Sequence, residues 1–314
     1  MSRNMKISFL THIRIFLRNM RLLFSLDLHQ ERWRLFMTDK TIRGMSRYIQ
    51  ERDPNITGLL PDGVLHSEIN AHEFKIFSQN GEDGILLWLI SKIGTSSKTF
   101  VEFGIGSGRE CNTANLILNF GWRGLMMDGS AINVENARMF FKYLMPYDEY
   151  AKLDIRREFI TRENINDLIR SSAVTENADI LSIDIDGNDY WIWEAITCIA
   201  PRIVVMEYNS AFGPVRSLTT PYKPDFNTYA EDRLGLYHGA SLTALITLGK
   251  KKGYTFVGCD AFGANAFFVK DELAGDLPRI SAKDAFYENQ HQSKRGSVEQ
   301  QFAFIKDKAF IEIS

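Results

Sequence analysis

The sequence predicts an α/β fold on a mostly parallel, seven-stranded sheet that ends in an antiparallel hairpin, with a helical extension in front of it. Three observations predict this. From about residue 74 onward, short apolar runs alternate with helical stretches, the pattern of a sheet covered on both faces. Gly104, Gly106 and Gly108 cluster where the first of those runs gives way to a helix. The last two runs, 255–259 and 265–270, come late and close together, as a hairpin requires.

The elements follow in order. The first strand is expected over 99–104 (TFVEFG), with a helix over 110–120. The second is 124–128 (GLMMD) with a helix over 131–144, and a weaker third is 150–154 (YAKLD) with a helix near 161–172. The fourth is 179–184 (DILSID), then a helix over 189–198, and the fifth is 202–207 (RIVVME). A long loop leads to a helix near 240–252 and then to the hairpin. Five strand–helix units, a helix and a terminal hairpin match the class I methyltransferase variant of the Rossmann-like fold, whereas a dehydrogenase more often adds a sixth parallel strand. The break around Pro54, Gly58, Pro61 and Gly63 sets a boundary, giving an extension over 1–65 and a domain over 66–314 with a C-terminal tail from about 271.

Bulk properties exclude several classes. The 314 residues are 45% hydrophobic and 24% charged, enough for a core without disulfide or metal staples. A net charge of -2 gives no reason to expect nucleic acid. Cys111, Cys198 and Cys259 form no CxxC pair and read as small buried residues of a reduced, cytoplasmic protein. No apolar run reaches the roughly 18 residues of a spanning helix.

The N-terminus differs from the rest. Residues 1–26 carry Arg3, Lys6, Arg14, Arg18 and Arg21 and no acid, while Phe9, Ile13, Phe16, Met20 and Leu23 recur at helical spacing. Such a basic amphipathic helix packs on its own domain or a partner subunit, docks peripherally on an anionic membrane, or serves as a targeting peptide.

Chemistry is expected at the carboxyl ends of the strands, where open α/β sheets bind ligands. Glycines at 104, 106 and 108 let the backbone approach a ligand. The spacing is GxGxG, and the GxGxxG of dinucleotide binders fails at Arg109. Glu102 puts a carboxylate beside this loop, which suits the cationic amino-acid part of S-adenosylmethionine better than a pyrophosphate. Asp128 ends the second strand, where an acid accepts both ribose hydroxyls. Asp154, at the expected end of the third strand, either reaches the adenine amino group or caps a helix.

A second constellation is LSIDIDGNDY followed by MEYN, bringing Asp184, Asp186, Glu207 and Asn209 to neighbouring strand tips. Acids meeting there repel one another unless a proton, an amine or a cation offsets them, and Mg²⁺ on Asp184, Glu207 and Asn209 is one solution. The alternative is local: Asp189 caps the helix and Asp186 stabilises the turn.

Taken together, FSQNGEDG (77–84), FGIGSG (103–108), DIDGND (184–189), YHGASL (237–242) and NAFFV (265–269) resemble the FkbM-type and related sugar O-methyltransferases, over roughly residues 74–270. The resemblance implies S-adenosylmethionine as cofactor, with Glu102, Gly104, Gly106, Gly108, Asp128, Asp154 and Asp184 around it. It also implies methyl transfer to a hydroxyl, with a small-molecule or glycan acceptor in polysaccharide biosynthesis. DIDGND departs from the shorter acidic motif of the metal-dependent sugar methyltransferases. His238 precedes a helix after the long loop and is, with Asp186, the expected base for the hydroxyl proton. The loop holds Phe212, Tyr222, Phe226, Tyr229 and Tyr237, suited either to stacking on a sugar or to an oligomer interface. The rivals are a non-catalytic scaffold that keeps the cofactor site and a nicotinamide-dependent oxidoreductase.

Overall fold

The computed structural model describes residues 66–174 and 177–314, so the expected extension over 1–65 lies outside the described residues. Seven strands form the main sheet: β1 (Thr99–Phe103), β2 (Arg123–Asp128), β3 (Leu153–Arg157), β4 (Ile180–Ile183), β5 (Ile203–Glu207), β7 (Tyr254–Cys259) and β8 (Asn265–Lys270). A two-residue strand, β6 (Leu218–Thr219), belongs to a separate small sheet with β9 (Ile311–Glu312). The order in the main sheet is β3-β2-β1-β4-β5-β8-β7. The first five strands run parallel, and β8 and β7 pair antiparallel at one end. The sheet is the one expected: α/β, mostly parallel, Rossmann-like, with a terminal hairpin.

Alternation along the strands explains the two layers. Successive side chains point to opposite faces. Phe100, Met126, Ile180, Val205 and Phe267 therefore fill one core, together with Ile85 and Leu89 of α1 (Glu82–Ile93). Val101, Leu125, Leu181, Val204 and Phe268 fill the other, against Trp193 of α4 (Asp189–Ala195) and Leu245 of α5 (Leu242–Lys251). Strands buried on both faces read as apolar runs, which is why they were visible in the sequence.

Three boundaries move. The helix expected from 110 begins at Ala114, because residues 104–113 are drawn into the loop (α2, Ala114–Phe120). The third strand is shifted three residues, to Leu153–Arg157. Tyr150 instead ends a short helix (Tyr147–Tyr150) after α3 (Ala131–Leu144), residues 151–152 form a turn, and Arg138 of α3 donates to the Ile155 carbonyl at 2.8 Å. The shift carries Asp154 away from the strand's carboxyl end. Residues beyond 271 are no loose tail. Phe302 and Phe310 pack edge-on to Phe212 of the long loop, and Arg216 binds the Glu299 carboxylate through both terminal nitrogens. All three cysteines are free, and Cys198 is only half-buried. Among the described residues no helix is long and apolar enough to cross a membrane.

Candidate active site

The strand order reverses between β1 and β4, each side of which leads away in opposite directions, and ligands bind at such a switch point. A cavity of about 890 Å³ lies there, within the range of sites that hold a cofactor-sized ligand. Four of the five parallel strands, β1, β2, β4 and β5, send residues into it, and Glu158, Phe159 and Ile160 enter it just past the end of β3.

The three glycines have different reasons for being glycine. All three have positive φ. A Cβ on Gly104 would stand 1.5 Å from the Asp184 carbonyl oxygen, so β1 and β4 can meet only at a glycine. A Cβ on Gly108 would press on Phe141 and Ala137 of α3. A Cβ on Gly106 would meet nothing within 4 Å, and Gly106 lines the cavity. Gly106 is thus the open position of the loop. The N–H groups of the three glycines are all engaged, by the Met127 carbonyl, the Asp128 carboxylate and the Ile105 carbonyl, each at 2.9 Å.

Glu102 lines the cavity, but its oxygens turn inward. They accept from the Asn112 N–H at 2.7 Å, from the Thr113 N–H at 3.1 Å and from the Thr113 hydroxyl. Burial raises its pKa, and those donors oppose the rise. Its observed work is to tie β1 to the end of the glycine loop. Asp128 holds Gly106 with one oxygen and the Ser130 N–H, at 2.7 Å, with the other, while Asn133 of α3 reaches the same carboxylate. It faces the cavity at the tip of β2, as the sequence reading expected.

Asp154 is a correction. It sits second in β3, forms an ion pair with Arg156 and does not line the cavity. Glu158, Phe159 and Ile160 occupy the place assigned to it, and Phe159 is 58% exposed, an aromatic face turned to a binding space. The signal was the Leu153–Ile155 alternation, obscured by the two arginines that follow.

Asp184 and Glu207 come together at the tips of β4 and β5, whose register pairs Ile183 with Met206. With Asp189 they bring one carboxylate oxygen each to within 4.8 Å of the others. Burial pushes the Asp184 carboxyl well above the usual range, and the facing Glu207 adds to the rise. Glu207 is raised likewise, by burial and then by Asp186 and Asp189. A proton or a cation between the two acids would offset their charge. The Asp189 carboxylate accepts from the Ile185 and Gly187 N–H groups, both at 2.8 Å, so it closes the preceding loop and is not the expected helix cap, a position that Asn188 holds.

The other members differ from expectation. Asn209 is no candidate ligand: its amide oxygen accepts from the Ala211 N–H at 3.0 Å and its nitrogen donates to the Leu236 and His238 carbonyls. A polar group at the start of a buried 3-10 turn is claimed by that turn. His238 is buried and does not line the cavity; its Nε2 lies 3.8 Å from Glu207 Oε1, behind the acid. Its Nδ1 lies 3.4 Å from the Asn209 nitrogen, whose two N–H groups serve the Leu236 and His238 carbonyls. Asp186 does line the cavity, exposed, in the left-handed region at φ 55.

The rest of the wall was missed in the sequence. Asn265 pairs with Glu207 across β5 and β8 and donates to Glu82 at 2.8 Å. Gln79, Asn289, Phe262 and His291 complete that side, with the last two rings 5.0 Å apart. Glu82 lies 183 positions from Asn265 in the chain, and no local pattern shows that the two segments meet. Of the loop aromatics, Phe226 and Tyr229 line the cavity, Phe226 packed on Gly187, whereas Phe212 and Tyr237 are buried against the C-terminal segment.

No family model matches the chain, and no curated protein matches it. Solved structures similar to it include the methyltransferase domain of bacterial CtHen1-C, at 14% identity over 60% of this chain and 97% of that one, with a TM-score of 0.39. An S-adenosylmethionine-dependent methyltransferase from Aquifex aeolicus is 11% identical over 72% and 97%, TM-score 0.36. A TehB-like one from Corynebacterium glutamicum is 12% identical over 72% and 98%, TM-score 0.33.

Proposed function

We propose that the chain is an S-adenosylmethionine-dependent O-methyltransferase acting on a sugar hydroxyl of a glycan or glycolipid precursor. The observation that carries the reading is the open backbone at Gly106 beside the Asp128 carboxylate, at the switch point of the sheet. These residues fit the cofactor. Asp128 would take the ribose hydroxyls, Phe159 would cover the adenine, and Gly106 would admit the methionyl chain. The bound cofactor would supply a methyl group already activated on a sulfonium.

What the protein adds is position and removal of a proton. Glu207 and Asp184 face the cavity with raised pKa values, which makes an ionised carboxylate of the pair a stronger base toward a hydroxyl proton. His238 lies behind the acid, its Nε2 3.8 Å from Glu207 Oε1, and would help to position it. The amides of Asn265 and Gln79 and the ring of Phe262 offer hydrogen bonds and a flat surface to a hydroxyl-bearing ring.

A second reading of the acids is favoured by the convergence of three carboxylates. Asp184 and Glu207, with Asp189 beside them, would hold a hard divalent cation such as Mg²⁺, which would lower the pKa of a coordinated hydroxyl. Methyl transfer measured in EDTA and after Mg²⁺ addition separates the two.

The test of the main reading is calorimetry of the full chain with S-adenosylhomocysteine and, separately, with NAD. Binding of the first and not the second is expected, because the loop glycines have no free N–H for a pyrophosphate. Saturable NAD binding, or a folded protein indifferent to S-adenosylhomocysteine, sinks it. Binding without turnover on any hydroxyl acceptor would favour the scaffold.

A further inference from the structure

We infer that the cavity selects against anions: the acceptor enters with a neutral or amine-bearing face, and any phosphate or carboxylate it carries stays outside. The inference rests on the methyltransferase reading and narrows its substrate class.

Charge is the first observation. Eight carboxyl side chains line the cavity, from Glu82 on α1 to Glu207 on β5, and among the described residues lining it there is no lysine or arginine. The one basic side chain is His291, at the rim and against Phe262. Clefts lined by one sign of charge concentrate the opposite sign and repel their own. A sulfonium and an ammonium gain from that field, and a phosphate or uronate loses.

The second observation concerns the backbone. Anion sites are commonly made from free N–H groups at a glycine loop. Here the N–H groups of Gly104, Gly106 and Gly108 are bonded within the protein, one of them to a carboxylate. The loop that would cradle phosphates in other α/β sheets has its glycine donors occupied. Besides the acids and His291, the acceptor side offers the neutral amides of Gln79, Asn265 and Asn289 and the ring of Phe262. A carrier-linked sugar therefore has to enter by its hydroxyl end, with the linking phosphate in solvent.

The experiment uses the full chain with inorganic pyrophosphate and UDP as probes, in EDTA and in Mg²⁺ alike. Neither probe should shift the melting temperature or displace S-adenosylhomocysteine at millimolar concentration. Glu110→Lys, alone and combined with Asp186→Lys, reverses exposed charges at the cavity wall. Each should raise pyrophosphate affinity, the pair by about tenfold or more. Saturable binding of either probe by the unaltered protein overturns the inference. So does a reversed-charge variant that keeps its cofactor affinity and gains nothing. Failure of the unaltered protein to bind S-adenosylhomocysteine counts against the methyltransferase reading instead, since the probe response is read from the melting temperature independently.

Discussion

Gly106 donates its N–H to the Asp128 carboxylate at 2.9 Å, so the tip of β2 holds the one open corner of the glycine loop. One carboxylate thereby fixes the loop and faces the ligand. Asp128→Ala should weaken S-adenosylhomocysteine binding by about 1–3 kcal/mol, with the protein still folded. Unchanged affinity by calorimetry removes Asp128 from the site.

Gly104 and Gly106 should respond unequally to the same substitution. Gly104→Ala forces a methyl group onto the Asp184 carbonyl and should cost several kcal/mol of stability, about as much as a serious core defect. Gly106→Ala meets no protein atom and should cost about 1–2 kcal/mol for its backbone conformation, with a larger proportional loss of cofactor affinity. Melting temperatures and affinities measured side by side check this; equal melting temperatures would contradict it.

Glu207→Gln should lower methyl transfer by about a hundredfold or more while leaving cofactor affinity within a few-fold. His238→Gln should lower it less and shift the acidic limb of the pH profile, since His238 acts through Glu207. A larger loss at His238 than at Glu207 would restore the histidine as the base. Full activity in EDTA would exclude the cation and leave the shared proton as what offsets the two acids.

Glu73 gives a stability prediction with a definite sign. Its carboxyl is buried beside Asn70 and Ala261, and burial raises it from 4.5 to about 7. Between those values the folded state holds a proton that the unfolded state releases. The contribution is complete below pH 4.5 and is lost as the pH rises to about 7, amounting to about 3 kcal/mol. Asp83, raised by burial to about 6, acts with the same sign. Denaturant unfolding should therefore weaken from pH 5 to pH 7, and Glu73→Gln should flatten the slope. A slope unaffected by the substitution places the titration elsewhere.

Deleting residues 1–26 tests the basic stripe read from the sequence. S-adenosylhomocysteine affinity should be unchanged, while partitioning onto vesicles of anionic phospholipid should fall. Vesicle binding that survives the deletion would assign the contact to another surface.

The sheet was legible because each parallel strand is buried on both faces and so shows as a short apolar run. The same rule failed at β3, where the partly buried LDIRR has polar residues at alternate positions and the expected strand was displaced onto YAKLD. That displacement misplaced Asp154 and hid Glu158 and Phe159. Local motifs were equally informative at the glycine loop and at Asp184 and Glu207, since a strand end names its own tip residues.

By itself, the sequence determined the layers and the acids at the tips of β2, β4 and β5, because these depend on periodicity and on residues adjacent in the chain. Only the tertiary structure decided which way each polar side chain turned. Asn209 looked like a ligand until the 3-10 turn at Ser210 took its oxygen, and His238 looked like a base until packing set it behind Glu207. The far wall of Gln79, Asn265, Asn289 and His291 joins segments about 200 residues apart, brought together by the antiparallel hairpin. A buried polar group takes whichever partner the fold brings within about 3 Å, and no local pattern in the chain records that partner.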